Sequence, residues 1–209
     1  GTALQVAMRE IEKANPDSLY GVFGDAQWSN KDRLSDPLLK DLIEHFSKLS
    51  FGNRNVNSDL LGDAYEYLIK KFADATNKKA GEFYTPRSVV RLMIEMLDPR
   101  EGETIYDPAC GTGGMLSVAE KYIRDLNNEA NPLLYGQDWN DEAWAVCRSD
   151  MLIKGEDADN IILGDTFTKD GFDRNSEGEK WTFDYMLANP PFGVEWKQQQ
   201  KYIDQEKDT

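Results

Sequence analysis

The fold is decided by the stretch TIYDPACGTGG, residues 104–114, in which a short run of strand type leads directly into a glycine-rich turn. Glycines in such a turn adopt positive φ and let the backbone approach a ligand closely. Apolar residues at helical spacing follow from about Gly114 to Arg124. This strand–loop–helix unit predicts a ligand-binding turn at the carboxyl end of a parallel strand.

The same alternation continues on both sides of that unit. Thr85 and Pro86 have the pattern of a helix start, with a hydroxyl cap followed by proline at the first helical position. Strands are predicted over 133–138, 160–165 and 183–188, with a helix between the first two that begins after Asn140 and ends near Gly155. Alternating strands and helices favour an α/β fold with a doubly wound, mostly parallel sheet.

The first part of the chain is predicted to be helical. Apolar residues recur at helical spacing over 37–49 and 59–72. We therefore expect a helical N-terminal domain at residues 1–79 and an α/β domain at residues 80–209.

The composition favours a cytoplasmic protein and excludes several kinds of site. The 209 residues contain 40% hydrophobic and 30% charged residues, without an apolar run of membrane-spanning length or a signal-peptide pattern. Two cysteines, Cys110 and Cys147, favour reduced thiols, and the single histidine, His45, offers no basis for a metal site.

The charge is strongly acidic and unevenly distributed. The net charge is −14, with 11 Lys and Arg against 12 Asp and Glu in residues 1–79 and 13 against 26 in residues 80–209. Neither part has the basic surplus of a protein that binds DNA phosphates unaided. If the substrate is nucleic acid, another subunit or a further segment must supply much of the phosphate binding.

Polar residues stand at or just past the ends of four predicted strands, namely Asp107, Asp138, Asp165 and Asn189. Ligands bind at this edge of a parallel sheet. Asp107 adjoins the loop glycines Gly111, Gly113 and Gly114, and a carboxylate there repels a pyrophosphate but suits a cationic amino-acid end or a sulfonium. This favours S-adenosylmethionine over a dinucleotide.

Asp138 and Asp165 have predicted roles in holding that cofactor. Asp138 is placed to accept hydrogen bonds from both ribose hydroxyls, and Asp165 from the exocyclic amine of the cofactor's adenine. The alternative for each acid is a helix cap or a solvated loop charge. For Trp139 and Trp144, core packing is preferred over contact with the cofactor.

The tetrapeptide Asn189-Pro190-Pro191-Phe192 follows the last predicted strand and has the pattern of a site for a planar amine. An aromatic amine is a poor nucleophile because its lone pair is delocalised into the ring. The Asn189 side-chain carbonyl and the Pro190 backbone carbonyl are two acceptors that draw the amine towards tetrahedral geometry, which localises the lone pair for attack on an activated methyl group. The two prolines stiffen the turn, and Phe192 offers a face for stacking.

Four blocks, GEFYTPR at 81–87, DPACGTGG at 107–114, YGQD at 135–138 and NPPF at 189–192, resemble the modification subunit of type I restriction–modification systems. These are N6-adenine DNA methyltransferases with a Rossmann-like S-adenosylmethionine-dependent sheet and a helical N-terminal region. The resemblance implies double-stranded DNA as substrate, a flipped-out adenine as target, and specificity and restriction subunits as partners.

The resemblance also implies residue roles. The residues that would close over S-adenosylmethionine are Glu82, Phe83, Tyr84, Thr85, Pro86 and Arg87. Thr112 to Gly114 would approach it through their backbone, Asp138 would hold its ribose, and residues 189–192 would hold the target adenine. Asp138 stands where the family usually has Glu, and the chain stops soon after Phe192, as expected of a fragment of a longer subunit.

Three other readings are compatible with parts of the pattern. A protein glutamine amide methyltransferase uses the same turn, but typically has Tyr after the two prolines and lacks the 82–87 block. A catalytically silent interaction module would keep the fold alone, although the intact Asn189 argues against it. A dinucleotide-dependent oxidoreductase is disfavoured by Asp107.

Overall fold

A computed structural model of the chain describes residues 1–24, 27–51, 56, 60–61, 64, 67–68, 71, 85–174, 176–191 and 195–206. The N-terminal part contains the helices α1 (Thr2–Ala14), α2 (Pro16–Leu19) and α3 (Asp36–Phe46). Ser35 caps α3 by accepting a hydrogen bond from the Leu38 backbone N–H. Of the stretch 59–72, the described residues 60, 61, 64, 67, 68 and 71 are helical. The predicted boundary between residues 79 and 80 lies outside the described residues.

The α/β part begins with α4 (Arg87–Leu97) and continues through β1 (Thr104–Asp107), α5 (Gly114–Leu126), β2 (Leu133–Asp138) and α6 (Asp141–Lys154). A 3₁₀ turn (Ala158–Asn160), β3 (Ile161–Leu163), β4 (Tyr185–Met186) and α7 (Gln200–Glu206) follow. The four strands form one sheet in the order β3-β2-β1-β4, and every pairing is parallel. The predicted α/β fold with a parallel sheet is therefore confirmed.

The two faces of the sheet are covered differently because successive side chains of a strand point to opposite faces. Ile105 and Leu134, neighbours in β1 and β2, are buried in an aliphatic core with residues of α4, α5 and α6. Tyr106 and Tyr135, the next pair in register, pack in an aromatic cluster with Phe172, Trp181 and Phe183. Both faces of β1 and β2 are thus covered, which holds their carboxyl ends in fixed positions.

Several predicted boundaries differ from the structure. β3 and β4 are shorter than the predicted 160–165 and 183–188, and α4 begins at Arg87 with Pro86 at its N-cap and no side-chain capping hydrogen bond. Trp144 is in the core, as predicted, where its indole N–H donates to the Ile161 carbonyl at 2.9 Å, but Trp139 is 66% exposed. Within the described parts of the chain, every helix is too short or too polar to span a lipid bilayer.

Candidate active site

The candidate site lies at the carboxyl edge of the sheet, beside the paired strands β1 and β4. The chain crosses from β1 through α5 to β2 on one side, and returns to β4 on the other side of β1. Such a switch in strand order opens a crevice at the carboxyl ends. Asp107 ends β1, Asp138 ends β2, and Asp165 and Asn189 follow β3 and β4 within three residues.

The glycine-rich loop is fastened to the end of β2 by Asp138. Its carboxylate accepts hydrogen bonds from the Gly111 backbone N–H at 2.7 Å and from the Asn140 backbone N–H at 2.8 Å. The Cys110 N–H also donates to the Gln137 carbonyl at 3.0 Å. Asp138 is buried, and each of its two oxygens retains a further lone pair after these contacts.

Two glycines of the loop meet opposite surroundings. Gly113 has a φ of 84°, and a Cβ at that position would lie 2.7 Å from the Cys147 sulfur on α6. Gly111 has a φ of 55°, but a Cβ there would meet no described atom within 4 Å, and the same holds for Gly114. The loop therefore packs tightly against α6 through Gly113, and among the described residues it leaves open space beside Gly111 and Gly114, with Thr112 half-buried.

Asp107 is a buried carboxyl group next to this loop, with only 1% of its surface exposed. Burial raises the pKa of Asp107 to about 7, the hydrogen bond from the Ala109 N–H opposes the rise, and the negative charge of Asp138 adds to it. A positive charge placed beside Asp107 would favour its ionised form. The acidic edge therefore suits a cationic ligand and opposes a pyrophosphate.

The thiols beneath the loop are both free and buried. A hydrogen bond to Cys147, together with burial, raises the pKa of Cys110 well above its ordinary value. A thiol held in its neutral form is a poor nucleophile, so Cys110 serves packing. Cys147 is fully buried in the same core cluster.

Asp165 already has two hydrogen-bond donors. One oxygen accepts from the Phe167 backbone N–H at 2.9 Å, and the other accepts from the Gln199 side-chain amide, also at 2.9 Å. The Gln199 carbonyl oxygen is buried and has no hydrogen-bond partner among the described residues. Sequence reasoning missed Gln199, because nothing in the run of glutamines at 198–200 distinguishes it.

Two further residues that sequence reasoning missed hold the loop after β3. The buried Gln137 donates to the Lys169 carbonyl at 2.8 Å and accepts from the Gly171 N–H at 3.0 Å. The Thr166 hydroxyl donates to the Pro108 carbonyl at 2.6 Å, which joins this loop to the end of β1. A glutamine inside a buried strand was the available signal for Gln137, since a buried amide requires partners.

The turn after β4 is connected to the segment before α4. Asn189 donates from its side-chain amide to the Thr85 hydroxyl at 2.8 Å, across a sequence separation of 104. Asn189, Pro190 and Pro191 are exposed, as are Pro86 and Arg87. The predicted site residues Glu82, Phe83, Tyr84 and Phe192 lie outside the described residues.

Comparisons with known proteins identify the family. The N-6 DNA methylase family model matches residues 56–208. The chain is 35% identical over 202 residues to the type I restriction enzyme MjaIX methylase subunit of Methanocaldococcus jannaschii, covering 94% of this chain and 34% of that protein. It is 34% identical over 197 residues to the HindI methylase subunit of Haemophilus influenzae, covering 91% of this chain and 43% of that protein.

A solved structure gives the same result. The type I restriction–modification methyltransferase subunit of Streptococcus thermophilus superposes with a TM-score of 0.78 at 30% identity, over 96% of this chain and 43% of that chain. The chain belongs to the N-6 DNA methylase family, and it spans less than half the length of these relatives. The family match does not favour the glutamine amide methyltransferase or oxidoreductase readings.

Proposed function

We propose that this chain is the catalytic part of a modification subunit of a type I restriction–modification complex, and that it methylates the N6 amine of adenine in double-stranded DNA. The observation that carries the proposal is the common location of the Asn189 turn and the glycine-rich loop at the carboxyl edge of the sheet. The N-6 DNA methylase match supports the same chemistry.

S-adenosylmethionine is the cofactor in this proposal, because its positive charges suit the acidic residues present. It supplies an activated methyl group on a sulfonium, and its positive charges suit the acidic edge formed by Asp107 and Asp138. The open side of Gly111 and Gly114 leaves room for close approach to the backbone. Asp138 would accept from the ribose hydroxyls and Asp165 from the adenine amine, while residues 82–87 would close over the cofactor.

The target amine would be held by the turn after β4. No described residue donates a hydrogen bond to the side-chain oxygen of Asn189. That oxygen and the backbone carbonyl of Pro190 are the two acceptors in this proposal. Positioning and electrostatic stabilisation then suffice for direct methyl transfer, without a covalent intermediate. Phe192 would stack on the adenine after the base has left the duplex.

DNA binding requires partners in this proposal. The surplus of acidic residues in 80–209 argues against binding of DNA phosphates by this part alone. A specificity subunit would read the DNA sequence and position the duplex, and a restriction subunit would cleave unmodified DNA. We place the complex in the cytoplasm, where bacterial and archaeal DNA is accessible.

Titration calorimetry with S-adenosylmethionine tests the cofactor assignment on the chain itself. We expect saturable binding to the parent, and a loss of at least about tenfold in affinity for Asp138→Ala, since hydrogen bonds to a charged group each contribute about 1.5–3 kcal/mol. Glu129→Gln is the matched control, because Glu129 is an exposed carboxylate before β2, at the opposite edge of the sheet.

Asp138→Ala also removes the anchor of the loop, so a second variant is needed. Asp138→Asn keeps an acceptor for a loop N–H and loses the charge, and its thermal unfolding reports whether the fold is retained. No binding by a folded parent would contradict the cofactor assignment. Transfer of a tritiated methyl group to duplex DNA by the complete subunit with its partners then tests the reaction.

A further inference from the structure

The hydrogen bond between Asn189 and Thr85 has a geometry that bears on how the target amine is received. The Asn189 side-chain nitrogen donates to the Thr85 hydroxyl oxygen at 2.8 Å. A side-chain amide has a donor end and an acceptor end, and the donor end is engaged here. The acceptor end is therefore directed away from Thr85.

Thr85 is not used in the way its sequence position predicts. A threonine directly before a proline at a helix start ordinarily caps the helix. Here α4 begins at Arg87, no side chain of the described residues caps it, and the Val89 and Val90 N–H groups donate to the Pro86 carbonyl. The Thr85 hydroxyl is instead bonded to a residue of the turn after β4.

The orientation of the Asn189 amide decides whether it accepts or repels an amine. With its nitrogen held by Thr85, the amide offers its oxygen to an incoming amino group. Rotation of the amide by half a turn would let its oxygen accept from the Thr85 hydroxyl, which can donate as well as accept. It would also place an NH₂ group against the amino group, so that two donors face each other. A buried donor without an acceptor costs as much as a lost hydrogen bond.

We propose that Thr85 is a positioning residue, whose hydroxyl holds the Asn189 amide in the orientation that presents its oxygen to the target amine. This inference rests on the proposed function, because it concerns the amine that the turn receives. It assigns Thr85 to the target side of the site, whereas its place in the 82–87 block predicts a contact with the cofactor. The two assignments differ in what a change at Thr85 should affect.

The test compares Thr85→Val, which removes the hydroxyl at nearly constant shape, with Thr85→Ser, which keeps it. Single-turnover methyl transfer is measured on the complete subunit in its assembled complex, with S-adenosylmethionine saturating and a duplex carrying the recognition sequence. We expect Thr85→Val to slow transfer roughly fivefold to tenfold, as expected for the loss of one orienting hydrogen bond. The affinity for S-adenosylmethionine should stay within about twofold of the parent, and Thr85→Ser should restore most of the rate.

A binding measurement supplies a readout that does not depend on turnover. The target adenine of the duplex is replaced by purine, which lacks the 6-amino group, and both duplexes are titrated with the parent and the valine variant. We expect the preference for adenine over purine to narrow in Thr85→Val, because only the amine contact depends on the amide orientation. A merely structural defect would weaken the binding of both duplexes equally.

The outcomes separate this inference from the function on which it rests. A parent complex that transfers no methyl group to DNA contradicts the proposed function. An active parent with an equally active Thr85→Val variant overturns the positioning role alone. A Thr85→Val variant that loses cofactor affinity and keeps the adenine preference assigns Thr85 to the cofactor and also overturns it.

Discussion

Replacing Gly113 with alanine should destabilise the fold far more than replacing Gly111, although the two glycines belong to the same loop. At Gly113, φ is 84° and the new Cβ would lie 2.7 Å from the Cys147 sulfur, which belongs to a fully buried residue. At Gly111, φ is 55° and the new Cβ would meet no described atom within 4 Å. Both changes strain the backbone, and only one of them also overpacks the interface with α6.

The structure sets the size of the difference. A left-handed conformation costs a residue with a Cβ about 1–2 kcal/mol, and an extra carbon in a close-packed site costs about 1–3 kcal/mol more. We therefore expect Gly111→Ala to lower the free energy of unfolding by about 1–2 kcal/mol and Gly113→Ala by about 2–5 kcal/mol. The larger value is a substantial part of the roughly 5–15 kcal/mol that stabilises a typical domain.

Urea unfolding of the purified chain measures both values. A urea dependence of about 1–3 kcal/mol per molar moves the midpoint by on the order of 1 M or more for Gly113→Ala. Adding Cys147→Ala removes the sulfur that obstructs the new Cβ, so the double variant should show a favourable coupling of at least about 1 kcal/mol. The affinity for S-adenosylmethionine should fall more in Gly111→Ala than in Gly113→Ala, because only the Gly111 Cβ enters the open side of the loop. Equal midpoints for the two alanine variants, or no coupling to Cys147, would refute the packing argument.

Two further predictions concern the acidic residues of the site. Asp107 has a pKa of about 7 in the folded state, against an ordinary value of 3.8. Between these two values the folded state holds a proton that the unfolded chain releases. The free energy of unfolding should therefore fall by up to about 4 kcal/mol as the pH rises from about 4 to 8. The free energy of unfolding of Asp107→Asn, measured in urea, should therefore rise relative to that of the parent across this pH range. Equal changes of the two free energies with pH would contradict the raised pKa of Asp107. Gln199→Ala should free one oxygen of Asp165 and tighten S-adenosylmethionine binding about twofold to tenfold in calorimetry, as expected for the removal of one competing hydrogen bond. The neighbouring Gln198→Ala is its control, and weaker binding by Gln199→Ala would mean that Gln199 itself contacts the cofactor.

The elements that the sequence predicts correctly are those whose signals are local. β2 has the predicted bounds 133–138, and β1 lies at the start of the strand–loop–helix unit as predicted, because each strand ends in an aspartate at a turn. α6 begins after Asn140, whose side chain accepts from the Ala143 N–H, and ends at Gly155 in the left-handed conformation. Cap and turn residues specify such ends within a few positions of the chain.

The predictions that failed depend on partners far along the chain. β4 was predicted over 183–188, but its ladder is limited to Tyr185–Met186, which pair with Ile105 and Tyr106 of β1. Before Tyr185 the Asp184 carboxylate accepts hydrogen bonds from the Thr104 N–H and hydroxyl, which replace a backbone pairing at that end of the strand. The sequence of a single strand does not contain that information. Thr85 likewise stands at a position that predicts a helix cap, yet its hydroxyl accepts a hydrogen bond from the Asn189 side chain, 104 residues away in the sequence.

Under the proposed function, the acidic edge of the sheet bears on how one catalytic part would bind both a cationic cofactor and DNA. The buried Asp107 and Asp138 favour positive charge, and the same field would repel the phosphates of a duplex. A single base that leaves the duplex carries no phosphate into the crevice, so the turn at Asn189 would meet a neutral ring and its amine. The phosphates would remain outside, where basic partner surfaces would bind them. An acidic catalytic part is therefore compatible with a DNA substrate only if base recognition and phosphate binding are divided between different surfaces.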